Sequence, residues 1–307
     1  METKTTSIHT TDTFTNDRYI ELFYQSLVPQ IDTLRGVVIF LHGLGDHSSG
    51  YLDFFEKLAE AGYAVFAFDY QGHGKSEGER VYFESYQYML DDVDQFVVLA
   101  KAELEKTPHA GVSKFILMGI SFGGLLSSLT VVRELHAFDA VVLIAPAINV
   151  PMTLVLRVQK FFASLLSTYF PTWRIVPGVE REKLSRYPEA LREFDEDALS
   201  YHGLTPARSA EQILRGMEEL ASLQTTFSTP LLIVVGSDER VVCPVSMRDF
   251  FRNVSSQEKQ FSTFDNVGHM LMREPKRELV EQCIIDWLQA SLGPKTTKPN
   301  RSQPTAI

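Results

Sequence analysis

Short runs of apolar residues recur along the chain and alternate with longer segments in which apolar positions return every three or four residues. A run that is apolar throughout is typical of a strand buried on both faces, as in a parallel sheet. The segments between the runs, such as Tyr51–Ala61 and Ser85–Glu105, have the spacing of helices with one apolar face. The alternation predicts an open α/β fold with a mostly parallel central sheet. The predicted buried strands are Gly36–Leu41, Tyr63–Phe68, Lys114–Met118, Ala140–Ala145 and Leu231–Val235.

Three further elements complete the predicted sheet and its flanks. Tyr19–Ser26 is predicted to add an antiparallel strand at the edge, and Gln260–Phe264 to form the last strand before a closing helix over Lys276–Ala290. Residues 1–17 and 293–307 are polar, and the second of these segments contains three prolines. We therefore expect a flexible N-terminal segment and a disordered C-terminal tail.

The alternation is interrupted once, between residues 147 and 228, where the pattern is helical and contains several prolines. An insertion of this length far exceeds an ordinary connection of about 4–6 residues. We predict a helical cap there, inserted into a core formed by residues 18–146 and 229–292. Within the cap, apolar residues at a spacing of three or four predict one helix face that packs against the core, lines an apolar pocket or touches lipid. That face consists of Leu154, Val158, Phe161, Leu165 and Tyr169.

Composition narrows the functional class. The 307 residues include 29 Lys and Arg and 39 Asp and Glu, which gives a net charge of −10 at pH 7. Binding of nucleic acid through its phosphates needs an excess of basic residues, so we expect no nucleic-acid partner. Hydrophobic residues at 44% and charged residues at 22% are close to globular averages and exclude a largely disordered chain.

Cysteine usage and hydropathy bear on the compartment. Cys243 and Cys283 have no metal-binding spacing and form no disulfide framework, which is typical of a reducing cytosol. The polar N-terminus predicts no secretory signal. The most apolar long stretch, Val150–Phe170, contains Arg157 and Lys160, so we predict no membrane-spanning segment. We expect a cytoplasmic protein in which the cap is the place for any peripheral membrane contact.

Motifs for phosphates, dinucleotides and metals are incomplete. Gly74-Lys75-Ser76 resembles the end of a phosphate-binding loop, but Asp69 stands where that loop requires glycine. The chain contains neither H-E-x-x-H nor a pair of C-x-x-C motifs. We therefore expect no cofactor and no metal ion.

The strongest chemical signal is the G-x-S-x-G pattern at residues 119–123. It lies between a predicted buried strand and a predicted helix over Gly124–Glu134. In that context the pattern predicts a nucleophile elbow, a strand-to-helix turn so sharp that the flanking positions have no room for side chains. The central residue, Ser121, is the candidate nucleophile, and its hydroxyl needs a base to remove the proton.

A base and an acid are expected after the serine, with the acid first. Asp238 follows the strand at Leu231–Val235, and His269 follows the strand at Gln260–Phe264. Both positions belong to the carboxyl edge of the sheet, where sites in open α/β folds lie. The alternative acid, Asp265, is only four residues from His269 and is assigned to a turn. The predicted triad is Ser121, Asp238 and His269.

The remaining candidates lie in loops that precede the elbow. Backbone N–H groups of Phe122 and of Leu44, in the loop after the strand at 36–41, are predicted to form the oxyanion hole. His42 and His73 precede Ser121 and are assigned structural roles, while His47 is expected to be a solvated loop residue.

Two further blocks, H-G-L-G-D-H-S at residues 42–48 and D-Y-Q-G-H-G-K-S-E-G at residues 69–78, complete a family pattern. With the elbow, they resemble the monoacylglycerol lipase and lysophospholipase branch of the α/β-hydrolases over about residues 18–290. Asp46 stands where the family usually has Glu, and Ile120 and Phe122 stand where it often has His and Met. The resemblance implies an α/β-hydrolase fold with the cap between strands 6 and 7. It also implies a serine esterase for single-chain lipid esters, with Cys243 near the pocket.

Other functions remain open at this point. The same chemistry would serve a short-chain esterase, a thioesterase or an acyltransferase. A catalytically silent hydrolase fold that binds a lipid is a further alternative, although the complete triad argues against it. A peptidase would need a site for a charged amine, for which the apolar face of the cap offers no candidate.

Overall fold

The computed structural model describes residues 6–149, 164–176 and 180–293. The described part contains ten strands, which are β1 Ser7–Thr15, β2 Glu21–Pro29, β3 Gly36–Leu41, β4 Tyr63–Phe68, β5 Phe115–Ile120, β6 Ala140–Ile144, β7 Arg174–Val176, β8 Thr205–Pro206, β9 Leu231–Gly236 and β10 Lys259–Phe264. Eight of them form the central sheet in the order β1-β2-β4-β3-β5-β6-β9-β10. The pairings of β1 with β2 and of β2 with β4 are antiparallel, and all other pairings in this sheet are parallel.

Helices cover both faces of the sheet. Those whose bounds are described are α1 Leu52–Glu60, α2 Tyr86–Glu105, α3 Phe122–Val132, α4 Arg181–Leu184, α5 Pro188–Glu196, α6 Ala207–Leu223, α7 Pro244–Asn253 and α8 Arg277–Leu292. Residues 164–169 are also helical, and short 3-10 turns span Ser48–Tyr51 and Gln224–Thr226. Among the described residues, none of these helices is long and apolar enough to cross a bilayer.

The continuous apolar runs are explained by two separate cores. Along β3, Val37 and Ile39 contribute to one cluster, together with residues of α2 and α3. Val38 and Phe40 point to the opposite face and contribute to a second cluster with α1 and α8. Since alternate side chains of a strand point to opposite faces, a strand covered on both sides must be apolar at every position. The predicted α/β fold with a mostly parallel sheet is confirmed.

The N-terminal prediction is wrong for residues 7–15. They form β1, which pairs with β2 along its whole length, so β1 and not the strand predicted at Tyr19–Ser26 is the edge of the sheet. Most of β1 is exposed, which explains its polar composition. Its threonines favour extended backbone. Phe14 anchors the strand by packing its ring against Tyr24, Phe68 and Phe96, with ring centroids 5.9–6.3 Å apart.

The elements between β6 and β9 belong to the segment for which the sequence predicts a cap, and this segment is called the cap below. The sequence predicts no strand there, yet β7 and β8 pair as a short antiparallel ribbon, too short to produce a visible alternation of apolar residues. Of the predicted apolar face, residues 154–161 lie outside the described residues. The two described members, Leu165 and Tyr169, are 56% and 68% exposed. The predicted C-terminal tail, apart from Gly293, also lies outside the described residues.

The last cap helix, α6, is joined firmly to the core. Leu220 is fully buried in the same cluster as the helices on that face of the sheet. The N–H of Phe83 donates to Ser209 Oγ at 3.1 Å, and the N–H of Tyr86 donates to Gln212 Oε1 at 3.2 Å. The inner face of α6 therefore packs as part of the core, although the sequence assigns the helix to the cap.

Candidate active site

The turn between β5 and α3 has the geometry of a nucleophile elbow. Ser121 adopts φ 51° and ψ −113°, a strained conformation for a residue with a side chain. A Cβ atom on Gly119 would come within 2.2 Å of the Gly123 carbonyl oxygen, and one on Gly123 within 2.1 Å of the Leu41 carbonyl oxygen. The chain can make this turn only with glycine at both positions, and the turn leaves Ser121 partly exposed at the carboxyl edge of the sheet.

His269 lies in the loop between β10 and α8, and its ring bridges two side chains. Its Nε2 is 3.1 Å from Ser121 Oγ, and its Nδ1 is 2.7 Å from Glu239 Oε2. Since a carboxylate only accepts, Nδ1–H donates to Glu239 and Nε2 is left to accept the hydroxyl proton of Ser121. This tautomer is the one that general-base chemistry on the serine requires.

The acid beside the histidine is Glu239, so the assignment of Asp238 to that position is corrected. The turn after β9 sends the two neighbouring side chains in different directions, and the Asp238 carboxylate forms an ion pair with Arg186 of the cap. Asp265, the alternative, is exposed, and its carbonyl oxygen accepts a hydrogen bond from Lys276. The sequence rule accepts Asp or Glu after this strand, and two adjacent acids satisfy it equally.

Glu239 is held as a carboxylate despite its burial. Its side chain is fully buried, and burial alone would raise its pKa. The charge of His269 and the hydrogen bond to its ring act in the opposite direction, as do the N–H groups of Val241 and Val242, which donate to Oε1 at 2.7 and 3.1 Å. The result is a pKa below the usual value for glutamate. The ionised form therefore persists at neutral pH and can stabilise an imidazolium.

The two predicted oxyanion donors belong to two segments that meet at the elbow. Phe122 is the first residue of α3, so its N–H has no acceptor within the helix and lies at the positive end of the helix dipole. Leu44 lies in the loop after β3, and the neighbouring Gly43 faces the elbow, with only 3.6 Å between its Cβ position and Ser121 Cβ.

His42 braces the loop that contains Leu44. Its Nδ1–H donates to the Gly43 carbonyl at 2.7 Å, and its Nε2 accepts the N–H of Tyr70 at 3.2 Å. Burial lowers the pKa of His42 to about 4, so the ring is neutral and can donate through Nδ1 while it accepts through Nε2. The ring of His73 lies 5.4 Å from that of His42, tilted by 48°, and burial lowers the pKa of His73 to about 3. Both rings therefore have the structural roles predicted for them.

The prediction that His47 is solvated is wrong. The residue is only 3% exposed, and its Nε2 lies 2.6 Å from Oδ2 of Asp197, at the end of α5 in the cap. The adjacent Asp46 accepts a hydrogen bond from Arg273 at 2.9 Å. The first contact joins the loop after β3 to the cap, and the second joins the same loop to the loop that carries His269. No local pattern in the sequence could predict either of these long-range pairings.

Cys243 contacts the segment that follows β6, and that segment in turn contacts the elbow. Its N–H donates to the Asn149 carbonyl at 3.0 Å, and the N–H of Ala147 donates to the Ser121 carbonyl at 2.9 Å. The thiol is partly buried. Among the described residues, no group of three or more His, Cys, Asp or Glu side chains is arranged to hold a metal ion.

Comparison with known proteins extends the geometric picture. The family model described as serine aminopeptidase, S33, matches residues 32–276. An uncharacterized abhydrolase domain-containing protein of Dictyostelium discoideum is 28% identical over 87% of this chain, which spans only 28% of that relative. The monoacylglycerol lipase of Mycolicibacterium smegmatis is 26% identical, with 89% of this chain and 94% of the relative covered. The crystal structure of the Paleococcus ferrophilus monoacylglycerol lipase superposes with a TM-score of 0.75 at 26% identity, covering 88% of this chain and 99% of the other.

Proposed function

The chain belongs to the serine aminopeptidase (S33) family of α/β-hydrolases and is a serine hydrolase, and from this premise we propose that it cleaves the ester bond of single-chain lipids through an acyl-enzyme. The observation that carries the proposal is the unbroken chain of hydrogen bonds from Ser121 through His269 to the buried Glu239. It lies at the carboxyl edge of the sheet, under a cap.

The reaction follows the order of the contacts. Ser121 Oγ attacks the ester carbonyl while His269 Nε2 takes its proton, and Glu239 stabilises the imidazolium. The N–H groups of Leu44 and Phe122 donate to the oxyanion of the tetrahedral intermediate. His269 then gives the proton to the leaving alcohol, and the same residues activate water to hydrolyse the acyl-enzyme.

The proposed substrate class is a monoacylglycerol or a lysophospholipid. Two similar proteins are named monoacylglycerol lipases. The cap presents large apolar side chains to solvent that suit contact with an acyl chain or a lipid surface. Among the described residues of the cap, these side chains are Leu165, Tyr169, Phe170, Trp173 and Leu204. Because the net charge is −10, any peripheral membrane contact should favour zwitterionic over anionic vesicles, which co-sedimentation can measure.

The experiment that tests this function is a substrate panel with purified protein and its Ser121→Ala variant. The panel contains monoacylglycerols, lysophospholipids, short-chain p-nitrophenyl esters, thioesters and an aminoacyl p-nitroanilide. We expect the single-chain lipid esters to have the highest kcat/KM and the variant to lose several orders of magnitude in rate.

Each other outcome identifies an alternative. Preference for short esters or thioesters would replace the lipid substrate but keep the mechanism. Cleavage of the anilide alone would support the peptidase that the family description names. Lipid binding without turnover would support a silent binding protein, and undiminished activity of Ser121→Ala would contradict the nucleophile.

A further inference from the structure

One short segment of the cap, Leu184–Tyr187, lies directly over the loop that carries His269. The carbonyl oxygen of Leu184 accepts the N–H of His269 at 2.9 Å and that of Met270 at 3.2 Å. From the core side, Glu274 accepts the N–H of Gly268 at 2.8 Å. The backbone that positions the histidine is therefore held between a core side chain and a cap carbonyl.

Side chains of the same cap segment contact two loops of the core. One is the acid loop after β9, which contains Asp238 and Glu239, and the other is the histidine loop after β10, which contains Asn266 and His269. Arg186 forms the ion pair with Asp238, the immediate neighbour of Glu239. Its Nη1 also lies 3.4 Å from Asn266 Oδ1, and the hydroxyl of Tyr187 donates to the Asn266 carbonyl at 2.9 Å. Thus one cap segment contacts the acid loop and the histidine loop together.

Packing excludes water from part of this junction. Leu184, Leu191 and Met270 are each more than 90% buried and form a small apolar cluster of their own, separate from the two main cores. A Cβ atom on Gly268 would come within 3.0 Å of the Leu184 carbonyl oxygen, which shows how closely the cap backbone approaches the loop.

We propose that Leu184–Tyr187, which we call the cap clamp, positions His269 and Glu239 for catalysis, with Arg186, Tyr187 and Asp238 as positioning residues. The proposal rests on the function proposed above. The histidine must keep 3.1 Å to Ser121 Oγ and 2.7 Å to Glu239 at once. A small displacement of a reacting group can lower a rate by about 100-fold, so loosening the clamp lowers the rate of the chemical step.

The test uses full-length variants that remove one clamp contact each. These are Arg186→Ala, Arg186→Lys, Tyr187→Phe and Asp238→Asn. The matched control is Arg181→Ala, which removes an arginine of the same cap region whose partner, Asp195, contacts neither loop in the described ion pairs. A short p-nitrophenyl ester serves as substrate because it makes little use of a long acyl groove.

We expect Arg186→Ala, Tyr187→Phe and Asp238→Asn to lower kcat by about 3- to 10-fold with KM unchanged. The conservative Arg186→Lys should recover part of the loss. The double variant Arg186→Ala/Asp238→Asn should be no slower than the slower single variant, because both remove one contact. Labelling by a fluorophosphonate should slow in the same proportion, and the melting temperature should match that of Arg181→Ala.

Two results would overturn the clamp and leave the hydrolase assignment intact. One is kinetics of all clamp variants equal to those of Arg181→Ala. The other is a change in KM alone, which would make the segment a substrate-binding surface. By contrast, wild-type protein that neither turns over any ester nor reacts with the fluorophosphonate would remove the proposed function, and the clamp with it.

Discussion

Replacing Glu239 with glutamine is the clearest way to distinguish the role of Glu239 from that of its neighbour Asp238. The change keeps the size of the side chain and removes its charge. Because the Glu239 carboxylate is fully buried and accepts from His269, Val241 and Val242, the amide must either turn its NH₂ toward His269 or leave the two valine N–H groups facing that NH₂.

Either arrangement disturbs the base. An NH₂ group facing Nδ1 favours the imidazole tautomer that carries its proton on Nε2, which can no longer accept the proton of Ser121. The imidazolium formed during attack also loses its counter-charge. For a triad acid changed to its amide, the loss in kcat is about 10⁴-fold, and we expect about 10³- to 10⁴-fold here.

The assay is steady-state hydrolysis of a short p-nitrophenyl ester, with the rate of fluorophosphonate labelling as a second readout. The matched variant is Asp238→Asn, one residue away, which should lose no more than about 10-fold because Asp238 faces Arg186 and not the histidine. A Glu239→Gln variant within 10-fold of wild type, or an Asp238→Asn variant slower than Glu239→Gln, would refute the assignment of Glu239.

Three further predictions concern backbone strain, packing and protonation. Ser121→Gly should be inactive yet more stable than wild type by about 1 kcal/mol in urea unfolding, because glycine relieves the strain at φ 51°; a lower stability would contradict the strain. Gly123→Ala should lose about 3 kcal/mol or fail to fold, because its Cβ would overlap the Leu41 carbonyl, and a circular dichroism melt equal to wild type would be contrary evidence. Burial lowers the pKa of His73 to about 3, so below pH 6.5 the unfolded chain binds a proton that the folded protein does not. The free energy of unfolding therefore decreases as the pH is lowered from 6.5. His73→Phe lacks this proton-binding site, so its free energy of unfolding relative to wild type should rise by about 2 kcal/mol as the pH is lowered from 6.5 to 5. If the difference in unfolding free energy between the two proteins stays constant over that range, the titration of His73 does not contribute to the loss of stability.

Much of the central sheet can be predicted from the sequence because burial on both faces forces continuous apolar runs. The same reasoning fails for β1, whose exposed edge position allows threonine and aspartate at most sites and leaves only Phe14 as a core contact. It also fails for the β7–β8 ribbon, which pairs at only two positions. Local patterns predict elements with a buried face and miss those that are held by long-range contacts.

The candidate site divides in the same way. The positions of Ser121 and His269 follow from chain order and from the strands that precede them, and the structure brings them within 3.1 Å. Which of Asp238 and Glu239 faces the histidine follows from the course of the turn after β9, and Asp238 pairs with Arg186, which lies far earlier in the chain. The contact of His47 with Asp197 spans 150 residues. The contacts of the cap with the loop after β3 and with the loop that carries His269 can therefore be found only from the three-dimensional structure.

The central claim is that Ser121 is an activated nucleophile that forms an acyl-enzyme. Incubation of the folded protein with a fluorophosphonate, followed by intact-mass measurement and peptide mapping, tests this most directly. We expect one adduct, located on Ser121 and absent from Ser121→Ala. An unmodified wild-type protein, or an adduct on another residue that persists in Ser121→Ala, would contradict it.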